Sequence, residues 1–95
     1  MNTILRKITN NCWRNDNENY FEKVGNYSID RIKFNNGKYL IFHRYYGNTI
    51  CIVSLYEKQF SLYNCGYNCR LTTAQLNYLE DFYKKKGYFL TYRGK

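Results

Sequence analysis

Residues 27–65, YSIDRIKFNNGKYLIFHRYYGNTICIVSLYEKQFSLYNC, decide the fold. Apolar, aromatic and β-branched residues recur through Tyr27–Asn35, Lys38–Tyr45, Thr49–Tyr56 and Gln59–Cys65, which suits a pleated, half-buried surface. Asn36-Gly37 marks a hairpin, because a type I′ turn needs two residues that tolerate positive φ. Gly47-Asn48 offers a second tight turn and Glu57-Lys58 a third, less typical one. Strands joined by so few residues run antiparallel, so four strands in a meander are expected.

Two-residue turns would pair Phe34 with Tyr39, Tyr45 with Ile50 and Leu55 with Phe60. One face then carries Leu40, Phe42, Val53, Leu55, Phe60 and Leu62, a surface for a helix to cover. The other carries Ile32, Phe34, Tyr39, Ile41, His43, Tyr45, Ile52, Tyr56 and Tyr63, too apolar for an ordinary solvated face. Three readings of that second face stand open: a core under the N-terminal segment with Trp13, a surface for a homodimer, or a platform on which bases stack at ~1–3 kcal/mol each.

Beyond the meander, Thr72 with Gln75 has the form of a capping box, and Leu76, Leu79 and Tyr83 fall on one helical face. Lys84, Lys85 and Lys86 suit the negative end of the helix dipole, and Gly87 is a natural C′ residue. Tyr88–Arg93 reads as a short fifth strand. Before the meander, Thr3–Thr9 reads as a short helix with Ile4, Leu5 and Ile8 on one side, and Asn10–Asn19 holds five Asn in a linker-like run. Tyr20–Val24 fits either a helical turn or a lead-in strand. The expected fold is therefore α+β: a four-stranded antiparallel meander with a C-terminal helix on one face, a short fifth strand and a short N-terminal helix. Residues 1–95 form a single small basic domain, less regular over 1–25 and with its core in 26–95.

Fifteen Lys and Arg against seven Asp and Glu give a net charge of +8. Residues 1–25 contribute +1 and residues 26–95 contribute +7, so the cationic field belongs to the folded body. Such a balance points to nucleic acid, an acidic protein face or an anionic membrane surface as partner. No apolar run approaches the ~18 residues of a membrane span, and Met1–Trp13 already contains Arg6 and Lys7 and does not resemble a secretory signal. Cys12, Cys51, Cys65 and Cys69 then read as reduced thiols in a cytoplasm. Cys65 and Cys69 are spaced more loosely than a zinc knuckle, so no metal is expected. No Gly-rich phosphate loop is visible, and no cofactor is expected.

Cations interleave with rings along the strands, and the pairing of phosphate-neutralising groups with stacking surfaces suits single-stranded or looped RNA. Arg31, Lys33, Lys38, Tyr39, His43, Arg44 and Tyr45 on the strands are candidate contacts. Arg70 and Thr72 add an anion site at a helix N-terminus, and Lys84, Lys85 and Lys86 add charge at its other end. Catalysis is not expected. His43 is the only histidine, a His43–Glu57 acid–base pair would be split along the sheet, and the adjacent Glu80 and Asp81 point in different directions on a helix.

The stretch Gly66-Tyr67-Asn68-x-Arg70-x-Thr72-Thr73-x-x-Leu76-Asn77-x-Leu79 resembles a pattern in small phage accessory proteins. It covers about the C-terminal third of the chain, and the Asn-rich N-terminal segment has no counterpart in it. Those proteins share no agreed activity, so no functional residue carries over. The resemblance implies a phage accessory protein in the cytoplasm of a low-GC Gram-positive host, a setting that the Asn-, Lys-, Ile- and Tyr-rich, proline-free composition also fits. Proteins of this kind often act on host defences, anti-CRISPR proteins among them. The expectation is an RNA-binding protein that inhibits a host ribonucleoprotein, with an inhibitor of an acidic host-enzyme face as the alternative.

Overall fold

A computed structural model describes residues 3–66 and 69–95. Its elements are α1 (Thr3–Arg14), β1 (Tyr20–Val24), β2 (Tyr27–Lys33), β3 (Tyr39–Tyr45), β4 (Asn48–Ser54), β5 (Gln59–Tyr63), α2 (Arg70–Lys85) and β6 (Phe89–Gly94). The strands form one six-stranded sheet in sequence order. β1 to β5 are an antiparallel meander, and β6 lies parallel to β5 after the α2 crossover. The α+β class therefore stands, with six strands in place of four plus a short fifth.

The extra strand is Tyr20–Val24. A two-residue Gly25-Asn26 turn, with Gly25 at φ 61°, brings Val24 opposite Tyr27. The alternation of half-buried Tyr20, Glu22 and Val24 with exposed Phe21 and Lys23 is a strand period. α1 also runs further than expected, to Arg14, because Cys12 and Trp13 continue its buried stripe.

Both helices pack on the same face. Leu5 and Ile8 of α1 and Leu76, Leu79 and Tyr83 of α2 join Ile29, Ile41, Cys51, Val53, Phe60 and Leu62 in one buried cluster. The opposite face has no second layer among the described residues.

The observed registers correct the sequence reading of β3. The β2–β3 connection is a three-residue turn, Asn35-Asn36-Gly37, with Gly37 at φ 82° and its N–H donating to the Phe34 carbonyl. Lys33 therefore faces Tyr39, and Ile29 faces His43. The next hairpin turns on Tyr46-Gly47, at φ 52° and 78°, and pairs Tyr45 with Asn48. The first differs by one residue from the expected pairing; the second differs by two at the turn and by one beyond a bulge, and an odd slip reverses which side chains share a face. Ile41 and His43 thus point to the helices, while Leu40 and Phe42 point away. A bulge at His43/Arg44 lets consecutive Ile50 and Cys51 both turn inward. The β4–β5 register, Val53 opposite Phe60, shifts by an even number and keeps the expected faces.

Helix ends follow local chemistry. α2 begins at Arg70, and its N-cap is Cys69, whose Sγ accepts the Thr72 N–H at 3.4 Å. Thr72 is accordingly not the cap but lies buried within the first turn. Gly87 at φ 90° follows Lys86 and donates to the Lys84 carbonyl, as a C′ glycine does. No helix of the described residues is long and apolar enough to cross a membrane.

Candidate nucleic-acid interface

The open face of the sheet is ordered in rows. Phe21, Asp30, Phe42, Ile52, Ser61 and Tyr92 are consecutive cross-strand partners from β1 to β6. Lys23, Ser28, Arg44 and Thr49 form the adjacent row. Phe21 is 62% exposed and Tyr92 49%, and the Tyr92 ring lies 5.5 Å from that of Tyr63. The Arg44 guanidinium sits 5.1 Å from the Phe42 ring centroid and 3.5 Å from the Asp30 carboxylate. Two shallow depressions follow the cationic row. One is lined by Phe21, Lys23, Asn26, Ser28, Arg44 and Tyr46, the other by Thr49, Ile52, Tyr63, Cys65 and Lys95.

Several residues expected to touch nucleic acid are instead internal, and these readings are corrected. Arg31 is buried, and its guanidinium donates to the carbonyls of Cys12 and Asn15, each at 2.8 Å, and of Asn17. A cation there meets the negative end of the α1 dipole and ties the chain after the helix, Asn15 and Asn17, to its last turn. His43 is fully buried, with Nε2 2.6 Å from the Tyr83 hydroxyl. Trp13 Nε1 can only donate, and does so to the same hydroxyl at 3.2 Å. The Tyr83 hydroxyl thus accepts from Trp13 and shares a second hydrogen bond with His43 Nε2, whose donor is set by the histidine tautomer. Burial drives the His43 pKa down to about 3, so the ring is neutral. Thr72 is buried under the first turn of α2.

The remaining candidates are spread over other surfaces. Tyr39 and Tyr45 face the helix side, Tyr45 with its ring 4.8 Å from that of Tyr27. Lys33 pairs with Glu18 at 2.8 Å, Lys84 with Glu80 at 2.6 Å and Lys85 with Asp81 at 3.0 Å. The Lys86 ammonium lies over the Trp13 ring at 4.3 Å and near Phe82 at 5.1 Å. Lys38 sits over the Tyr56 ring at 4.7 Å, at the β2–β3 turn. Arg70 is exposed at the start of α2. Tyr67 and Asn68, from the loop that resembles phage proteins, lie outside the described residues. Arg44 is the candidate that the fold does place among the open-face rings.

Phe21, Lys23, Phe42 and Tyr92 are not among the residues the sequence places on a binding face, whereas Tyr63 is. The signal for the first two was present: an alternating pentapeptide followed by Gly-Asn is a hairpin pattern. Phe42 was assigned to the covered face through the β3 slip.

The thiols differ by environment. Burial raises the Cys12 pKa to about 11 and pushes Cys51 up further, whereas hydrogen bonds from Thr72 lower that of exposed Cys69. All four are free, and among the described residues no three His, Cys, Asp or Glu side chains converge on a metal position. The chain matches no protein-family model, no curated protein and no solved structure.

Proposed function

We propose that this protein binds single-stranded nucleic acid, RNA in the first instance, on the open face of its sheet. The observation that carries this reading is a six-stranded sheet face, without a covering layer among the described residues, that presents Phe21, Phe42, Tyr63 and Tyr92 beside Lys23 and Arg44. Rings exposed on a pleated surface offer sequence-tolerant stacking, and flanking cations neutralise phosphates. Among the outward-facing strand residues Asp30 is the only carboxylate, and Arg44 sits beside it. The net charge of +8 favours a polyanion over a neutral partner at every distance within the screening length. The resemblance to phage accessory proteins supplies a setting, a host ribonucleoprotein whose RNA this face would hold or displace.

The rival reading is an inhibitor that docks on an acidic protein face, and one observation favours it. α1 contains no acid and exposes Arg6, Lys7 and Arg14. Fluorescence anisotropy with a short labelled oligouridylate separates the two. Binding at low salt should weaken with a log–log slope of about −2 or steeper, at roughly −0.7 per neutralised phosphate. No binding at low salt would leave the acidic-protein reading in its place.

A further inference from the structure

We infer that the bound strand crosses the sheet at right angles to the β-strands, phosphates along Lys23, Arg44 and Lys95 and bases over Phe21, Phe42 and Tyr92. This rests on the nucleic-acid reading above and specifies its path.

The register supplies the first argument. Cross-strand partners put Lys23, Ser28, Arg44 and Thr49 in one straight row, and Phe21, Phe42, Ile52 and Tyr92 in the next. These two rows lie two residues apart along β1, β2 and β3, ~6.7 Å, and three apart along β4, where the bulge falls. That offset suits a phosphate and the base it carries. A path along a single strand would instead meet charge and ring alternately, and only on β1 and β3.

Shape gives the second argument. The two depressions on this face lie in the cationic row, one beside Lys23 and Arg44 and the other beside Thr49 and Lys95. Arg44 and Thr49 are cross-strand partners, so the depressions adjoin. Ser28 and Asn26 add neutral donors at the Lys23 end, where phosphate oxygens would come to rest.

Charge gives the third. On the far side of the rings the corresponding row is Ile32, Leu40 and Ser54, without a cation. The sugar–phosphate backbone therefore belongs on the Lys23 side, near the Gly25-Asn26 and Tyr46-Gly47 turns. Asp30 sits in the base row and holds Arg44 at 3.5 Å. That contact competes with a phosphate for the guanidinium.

The test titrates oligouridylate by anisotropy across a salt series. It compares the wild-type chain with Lys23→Gln, Arg44→Gln, Lys95→Gln, Asp30→Asn and, as a control of equal charge change on the helical side, Lys7→Gln. Each lane variant should weaken binding and make the salt slope shallower by about 0.7, the share of one phosphate. Lys7→Gln should leave the slope unchanged, and Asp30→Asn should tighten binding by releasing Arg44. Equal effects of Lys7→Gln and the lane variants would mean diffuse attraction and overturn the path. Wild-type binding that ignores all three lane variants would also overturn it, while leaving the nucleic-acid reading intact. If the wild type binds no oligonucleotide at low salt, that reading fails and the path falls with it.

Discussion

The two faces of this sheet come from the same strands and the same alternation, yet they do different physical work. On the helix side Tyr83 touches Trp13, His43, Phe60, Phe82 and Tyr88, and its hydroxyl bonds Trp13 Nε1 and His43 Nε2. On the open side Phe21, Tyr63 and Tyr92 lie at the surface beside Lys23 and Arg44. Aromatic content alone cannot tell a core from a binding surface. What separates them is whether a second layer removes the rings from water. An uncovered apolar face gains nothing for stability and remains available for a partner.

The sharpest way to break this comparison is to cut one ring on each side. Tyr83→Ala should cost ~3–5 kcal/mol in urea denaturation, through cavity formation and lost contacts. Tyr83→Phe should cost ~1–3 kcal/mol, because half-buried Trp13 Nε1 and buried His43 Nε2 lose their shared partner. Phe21→Ser should stay within ~0.5 kcal/mol, since its ring is largely in water already. Comparable losses at positions 21 and 83 would mean that both faces are core.

A smaller effect is expected at Arg31, where a cation works on the covered side. Arg31→Met removes the donors to the carbonyls of Cys12, Asn15 and Asn17. A loss of ~2–3 kcal/mol should follow, with faster amide exchange in α1. Arg31→Lys should recover only part of it, because an ammonium keeps the charge without the planar fork. If oligonucleotide affinity falls in Arg31→Met while α1 exchange is unchanged, the residue serves the interface and not the helix.

Smaller again is the response to mild acid. The His43 pKa lies at about 3 in the folded protein, below the unfolded value near 6.5. The unfolded chain thus takes up a proton that the folded one refuses. The stability from neutral His43 is complete above pH 6.5 and is lost as pH falls from there towards 3. Between pH 7 and pH 5 the loss should be about 2 kcal/mol by thermal or urea unfolding. Glu80, held below its usual range by Lys84 and Arg93, adds its own loss only below pH 4.5. His43→Gln should flatten the response between pH 7 and 5. An unchanged slope would place the titrating group elsewhere.

Much of the architecture was legible in the chain. Strand content, the α2 stripe of Leu76, Leu79 and Tyr83, the C′ role of Gly87 and the parallel-free meander of β2 to β5 follow from local periodicity and turn chemistry. The assignment of faces did not follow. It depends on turn length, turn position and bulges: Asn35-Asn36-Gly37 has one residue more than the simplest reading, and Tyr46-Gly47 sits one residue early, a shift of two that the bulge at His43/Arg44 makes odd along the rest of β3. Tyr46 adopts positive φ where a glycine or asparagine is the usual guess, so its own residue type concealed the turn. Two such slips turn β3 over, sending His43 and Ile41 into the core and Phe42 and Arg44 to the open side. Arg31 looked like a surface cation because its partners are backbone carbonyls at the end of α1, a helix the sequence closed too early. The sequence by itself determined the elements and the total charge, since both are sums over neighbours. Only the tertiary structure decided which rings and cations share a surface, because register and helix docking depend on contacts between residues far apart in the chain.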